Sequence, residues 1–183
     1  MSRKNIIFGI AGLWLVLALG LIGYKQRILA TGIKVVLETV PVDPRDFLRG
    51  DYVILRYKIS SLSGIPGKSN FKRGDRVYVK LEPAGEYREA ESALSAAESA
   101  PWRAVAMKAK NEIERGDVVI KGKIRRSGVV KYGIESYFVP EGKGREIEKS
   151  MAGRSKVAVE VIVDKHGNGI INKLFIDGRA VQL

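Results

Sequence analysis

Two short blocks of this chain hold four carboxylates and two arginines, among their charged residues, that could act together. Asp46 and Asp51 lie in PVDPRDFLRGDYVILRY (Pro41–Tyr57) beside Arg45 and Arg49, and Glu135 and Glu141 lie in YGIESYFVPEG (Tyr132–Gly142). Paired carboxylates can trade protons as general acid and base, or hold Ca²⁺ or Mg²⁺ through oxygen ligands. The competing use is structural: a guanidinium fork grips a carboxylate and locks two turns together. The choice turns on whether the blocks meet in space, and on whether the carboxylates then line a hollow or are consumed by Arg45 and Arg49. Glu135 is the hardest of the four to dismiss. It sits between Ile134 and aromatic neighbours, and a buried carboxylate there needs a partner.

The same blocks carry Tyr52, Tyr57, Tyr132 and Tyr137. They can line a groove for a sugar or peptide, or they can be core. Each pair is five residues apart, so in a regular strand its members point to opposite faces and one of each pair goes inward. Ser60, Ser61 and Ser63 with Lys58 or Lys68 offer the ingredients of a Ser–Lys acyl-transfer pair. The surrounding motif of the membrane-bound signal peptidases, which are similar in using such a pair on an anchored β-rich domain, is absent. His166, the single histidine, falls in KHGNG, where a hairpin tip accounts for it.

There is no cysteine, which excludes disulfides and thiolate metal sites, and one histidine leaves little for a His-based metal site or triad. No phosphate-binding loop, dinucleotide fingerprint or zincin motif occurs. No catalytic residue, metal or cofactor is therefore assigned. The balance of 32 Lys+Arg against 20 Asp+Glu gives a net charge of +12, which suits anionic lipid or an acidic wall polymer as well as a merely basic surface. Nucleic acid is not expected, since charge alone speaks for it and no binding module does.

These residues need elements to hold them. Ile6–Tyr24 carries no charge over 19 residues, and a helix of that length spans about 28 Å, close to a bilayer core. Residues 1–5 then form a short cytoplasmic tail, 6–24 a transmembrane signal anchor, 25–32 a juxtamembrane linker and 33–183 an exported domain. The flanking basic residues Arg3, Lys4, Lys25 and Arg27 are nearly balanced, so the orientation N-in, C-out rests on the short N-tail. A cleavable signal peptide and a buried core helix are the competing readings.

Strands are expected at Ile33–Val40, Tyr52–Ile59, Arg76–Leu81, Trp102–Lys108, Val118–Arg125, Val129–Val139, Lys156–Val163 and Gly169–Ile176, from β-branched content and alternation. A surface helix is expected near Glu86–Ser99 and a loop leading into a short helix at Gly142–Met151. The exported part is then mainly β, a β-sandwich or partly open barrel with one or two short helices. Three strands are preceded by Arg-Gly-Asp, at Arg49–Asp51, Arg73–Asp75 and Arg115–Asp117. This predicts a tight turn in which Gly takes positive φ and Asp caps nearby amides. The adhesion tripeptide is the other reading of the same letters.

Gly50–Tyr57 reads G-D-Y-V-I-L-R-Y and fits G-D-Y-x-x-L-x-Y in full. The chain thereby resembles the GDYXXLXY family of bacterial membrane-anchored envelope proteins. Pro44-Arg45-Asp46 and Leu48-Arg49 resemble the family's lead-in, Tyr132–Gly142 its other recognisable segment, and the stretch near Glu89–Glu98 looks like an insertion. The resemblance implies a domain of unknown function whose members are often encoded beside multi-spanning membrane proteins. The expected role is an accessory subunit of an envelope complex, single-pass in the bacterial inner membrane with its C-terminal domain periplasmic. Its partner would be a multi-spanning membrane protein. An envelope hydrolase or ligand-binding enzyme using Asp51, Glu135 or Glu141 is the alternative, and a binder of anionic lipid or wall polymer a third. The oligomeric state is left open.

Overall fold

The structure, a computed structural model, describes residues 3–40, 52–61, 64–67, 70–84, 101–125, 128–139 and 156–181. It divides into two units, Met1–Gly32 and Ile33–Leu183.

The first unit is one helix, α1 (Arg3–Thr31). Its apolar residues lie all round the axis rather than on one stripe, and Trp14 is 68% exposed. A helix apolar on every side has no aqueous face to offer. The span Lys4–Thr31 has mean hydropathy 2.5, is not buried, and is long and apolar enough to cross a membrane. The stretch expected as a linker, residues 25–32, is instead helical through Thr31. Gln26–Ala30 are ordinary helix formers with no Gly or Pro to stop them. The helix closes at Gly32, whose N–H donates to the Ile28 carbonyl (2.9 Å).

The second unit is mainly β. One antiparallel sheet has the order β1-β8-β9-β10, from Ile33–Glu38, Val157–Val163, Gly169–Ile176 and Arg179–Ala180. A second has the order β4-β3-β5-β6, from Trp102–Lys108, Arg76–Pro83, Val119–Ile124 and Val130–Lys131. A two-stranded ribbon joins β2 (Tyr52–Ile54) to β7 (Ser136–Phe138). Alternation sets the faces: Val35 and Leu37, Val157 to Val163 at every second residue, and Leu174 turn inward from the first sheet. They meet Val77, Val79, Leu81, Met107 and Ile120 of the second in one core. Among the described residues no barrel closes, and the helical elements after α1 include the short 3-10 turns Lys58–Ser60 and Lys110–Glu112.

The two sheets are tied where the β8–β9 hairpin tip docks on β5. The Lys121 N–H donates to the Gly167 carbonyl (2.8 Å), and the Lys121 ammonium to the Asn168 side chain. Gly167, at φ +78, has no room for a side chain: a Cβ would lie 3.0 Å from the Lys121 nitrogen. Asp164 holds the tip together by accepting the N–H groups of His166 and Asn168, both at 2.8 Å. His166 is an exposed tip residue.

Two expected strands are corrected. Val129–Val139 is not one strand but β6 and β7, parted by a turn with Gly133 at φ +84. The first part pairs with β5 and the second with β2, so the chain leaves one sheet for another here. Tyr52–Ile59 is a strand only to Ile54, then an irregular run into the 3-10 turn. The helix expected at Glu86–Ser99 and the short one in Gly142–Met151 lie outside the described residues.

Candidate functional site

The two blocks do meet. β2 and β7 pair antiparallel, with Tyr52 opposite Phe138, Val53 opposite Tyr137 and Ile54 opposite Ser136. The Leu55 N–H then donates to the Glu135 carbonyl (2.7 Å). Beyond Leu55 the run through Ser61 fills the seam between the sheets. Tyr57 bridges Thr39 at the end of β1, and Ser61 bridges Val129 beside β6.

Two buried tyrosines cross that seam. The Tyr57 hydroxyl donates to the Ile134 carbonyl (2.6 Å) and the Tyr132 hydroxyl to the Ile59 carbonyl (2.5 Å). Each hydroxyl lands on the carbonyl two residues beyond the other tyrosine, so the segments clasp each other reciprocally. Tyr57 is 1% exposed and Tyr132 8%. Buried hydroxyls must be paired, and carbonyls of irregular chain have no ladder partner, so each need meets the other. Burial first, and the nearby Glu135 charge second, push both phenols well above the usual tyrosine range. Both remain neutral donors at any physiological pH. Room for the Tyr132 ring comes from Gly122, where a Cβ would stand 3.1 Å from the ring and 2.3 Å from Val130.

Glu135 finds its partners within its own turn. One carboxylate oxygen accepts the Tyr132 N–H (2.5 Å) and the other the Gly133 N–H (2.9 Å). This closes Tyr132–Glu135 and aims the Ile134 carbonyl at Tyr57. Tyr137 is half-buried against the core, and burial raises its phenol too. The Tyr52 backbone is on β2. Arg45, Asp46, Arg49, Asp51 and Glu141 lie outside the described residues, and with them the arginine lock expected around these carboxylates.

An open hollow of about 500 Å³ runs along the clasp, with Arg56, Lys58, Ser60, Ser61, Lys131 and Glu135 in its lining. Lys58 forms an ion pair with Glu38 rather than with a serine. Among the described residues no three His, Asp or Glu gather to hold a metal ion.

Sequence reasoning placed Tyr57, Tyr132 and Glu135 in the right blocks but missed the clasp, because a hydroxyl reaching across 77 residues leaves no local spacing. It also missed Asp117, whose side chain is 5% exposed between the ammonium groups of Lys108 (2.7 Å) and Lys80 (3.0 Å).

Searches of curated proteins and of solved structures return no match. The model of the GDYXXLXY protein family matches residues 14–174, which takes in most of α1, the clasp, the second sheet and the first sheet as far as Leu174 in β9. The chain belongs to the GDYXXLXY family, a family of unknown function.

Proposed function

We propose that this protein is a membrane-anchored accessory subunit of an envelope complex. In this reading α1 spans the bacterial inner membrane with its N-terminus in the cytoplasm. The β unit stands on the periplasmic side and engages a multi-spanning membrane protein. The observation that supports it most is the contrast within the two family blocks. Their interior is locked by the clasp, while the ribbon they form has two strands among the described residues and carries Phe138 at 73% exposure. A two-stranded ribbon with a large exposed aromatic is a ready docking edge for another chain. The carboxylate hydrolase reading is less favoured, since both Glu135 oxygens are held by backbone amides.

A pull-down of tagged full-length protein in mild detergent, read by mass spectrometry, tests the proposal. The expected result is a stoichiometric multi-spanning partner that Phe138→Asp loses without a change in melting temperature. Glu135→Ala is expected to lose the partner together with stability, because it opens the turn that Tyr57 grips. A folded wild-type chain with no membrane partner overturns the proposal.

A further inference from the structure

The outward face of the second sheet is cationic at one end in a way the fold does not require. Arg76 of β3 lies directly opposite Lys123 of β5, and Lys123 directly opposite Lys131 of β6. Val77, Gly122 and Val130 are the inward neighbours, so all three cations share the outer face. Like charges directly opposite across strands destabilise a sheet, and here three strands repeat the conflict. At the other end of this face Lys80 and Lys108 both pair with Asp117, and Glu82 and Glu114 lie within ion-pair reach of them. Among the described residues no carboxylate pairs with Arg76, Lys123 or Lys131.

The cations also surround a concavity. Arg76, Lys121, Lys123, Arg125 and Lys131 line an open hollow of about 350 Å³ together with Tyr132 and Glu135, five cations against one carboxylate. Lys121 is held in place through Asn168. Strands about 4.8 Å apart put the outer members of the ladder about 10 Å apart. That separation suits two phosphoryl groups bridged by a short linkage, and the Arg76 fork suits one of them bidentately.

We infer that this cradle binds a ligand carrying closely spaced phosphoryl groups. The chemistry is the same whether these belong to an anionic lipid headgroup or to a soluble phosphate compound. The surface is separate from the ribbon edge proposed for docking, so either can fail alone.

The test is calorimetric titration of inorganic pyrophosphate into full-length protein in uncharged detergent. Saturable binding is expected, weakening with added salt and falling at least tenfold in Lys123→Gln/Lys131→Gln. The control Lys34→Gln/Lys173→Gln removes the same charge from exposed positions of the first sheet and is expected within twofold of wild type. The cradle variant should melt no lower than wild type, since it relieves repulsion; Arg76→Gln serves as an independent second variant. The titration is then repeated in lipid discs. If discs containing a two-phosphate anionic lipid block pyrophosphate and zwitterionic discs do not, the cradle binds and its natural ligand is lipid; if both leave the titration intact, it binds and the ligand is soluble. No saturable binding, or equal losses in cradle and control variants, overturns the inference.

Discussion

The turns Lys72–Asp75 and Glu114–Asp117 have the same last three residues, Arg-Gly-Asp, and nearly the same local geometry. In each, the Asp N–H donates to the carbonyl three residues back, at 3.1 and 3.2 Å. Its carboxylate accepts the N–H of that same residue, at 2.7 and 3.1 Å. The glycines take φ +99 and +96. Each turn leads into a strand, β3 or β5. Yet Asp75 is exposed, while Asp117 is buried against Lys80 of β3 and Lys108 of β4. The tripeptide encodes a turn, and its place in the sheet decides whether the carboxylate becomes a tertiary anchor as well. The third copy, Arg49–Asp51, lies outside the described residues.

Asp117→Ala should therefore have the largest effect, lowering stability by roughly 1–2 kcal/mol, since it frees a backbone amide and leaves Lys80 and Lys108 only the longer contacts to Glu82 (3.5 Å) and Glu114 (3.7 Å). Asp75→Ala removes only the exposed cap and should cost about 0.5–1 kcal/mol. Denaturant midpoints of the full-length protein in detergent measure both. Equal losses would mean that the ion network adds nothing to the turn.

Acid should weaken the Asp117 turn next. The hydrogen bond from Lys108 leads in drawing the Asp117 carboxyl down to about 2; burial opposes it, and the Glu114 amide and Lys80 assist. A carboxyl with a folded pKa below its unfolded one stabilises above the unfolded value and loses that contribution as pH falls through the folded one. The window therefore runs from about pH 4 down to about pH 2, and with solvent screening the loss is roughly 1–2 kcal/mol. Asp164 contributes with the same sign, because hydrogen bonds from Asn168 and His166 outweigh the burial that would raise it. Comparing wild type with Asp117→Asn isolates the Asp117 share. The variant should show a shallower acid limb.

What could be read from the sequence follows this division between local and tertiary causes. Strands with clean alternation were placed well: Trp102–Lys108 and Gly169–Ile176 coincide with β4 and β9. The positive-φ glycines of the two described Arg-Gly-Asp turns are a local property and were legible too. The split of Val129–Val139 was not, because Val, Tyr and Phe continue through it and only Gly133 and Glu135 mark the break. The β9–β10 hairpin was missed although its signal was present. Asp177-Gly178 is a strong two-residue turn sequence, and both residues have positive φ, +48 and +79. At the site, the blocks and the need of Glu135 for a partner were legible, but the identity of that partner was not. Turn amides of Tyr132 and Gly133 supply it, which becomes visible only once the strand is known to break there. The tyrosine clasp and the Arg76–Lys123–Lys131 ladder depend on register and on which strands become neighbours, and no spacing along one segment encodes either.

Substituting the turn glycines gives the smallest and sharpest contrast, because it should abolish the difference between the turns. Nothing lies within 4 Å of a Cβ built on Gly74 or Gly116. An alanine at either position therefore meets no neighbour, and its cost is the backbone term for an L-residue at positive φ, about 1 kcal/mol. Gly74→Ala and Gly116→Ala should destabilise alike, despite the ion network resting on the second turn alone. If Gly116→Ala costs clearly more, the alanine must be shifting Asp117 away from Lys80 and Lys108. Repeating the substitution in an Asp117→Ala background then decides the point: the excess should vanish if it travels through the carboxylate, and persist if the turn backbone itself differs between the two sites.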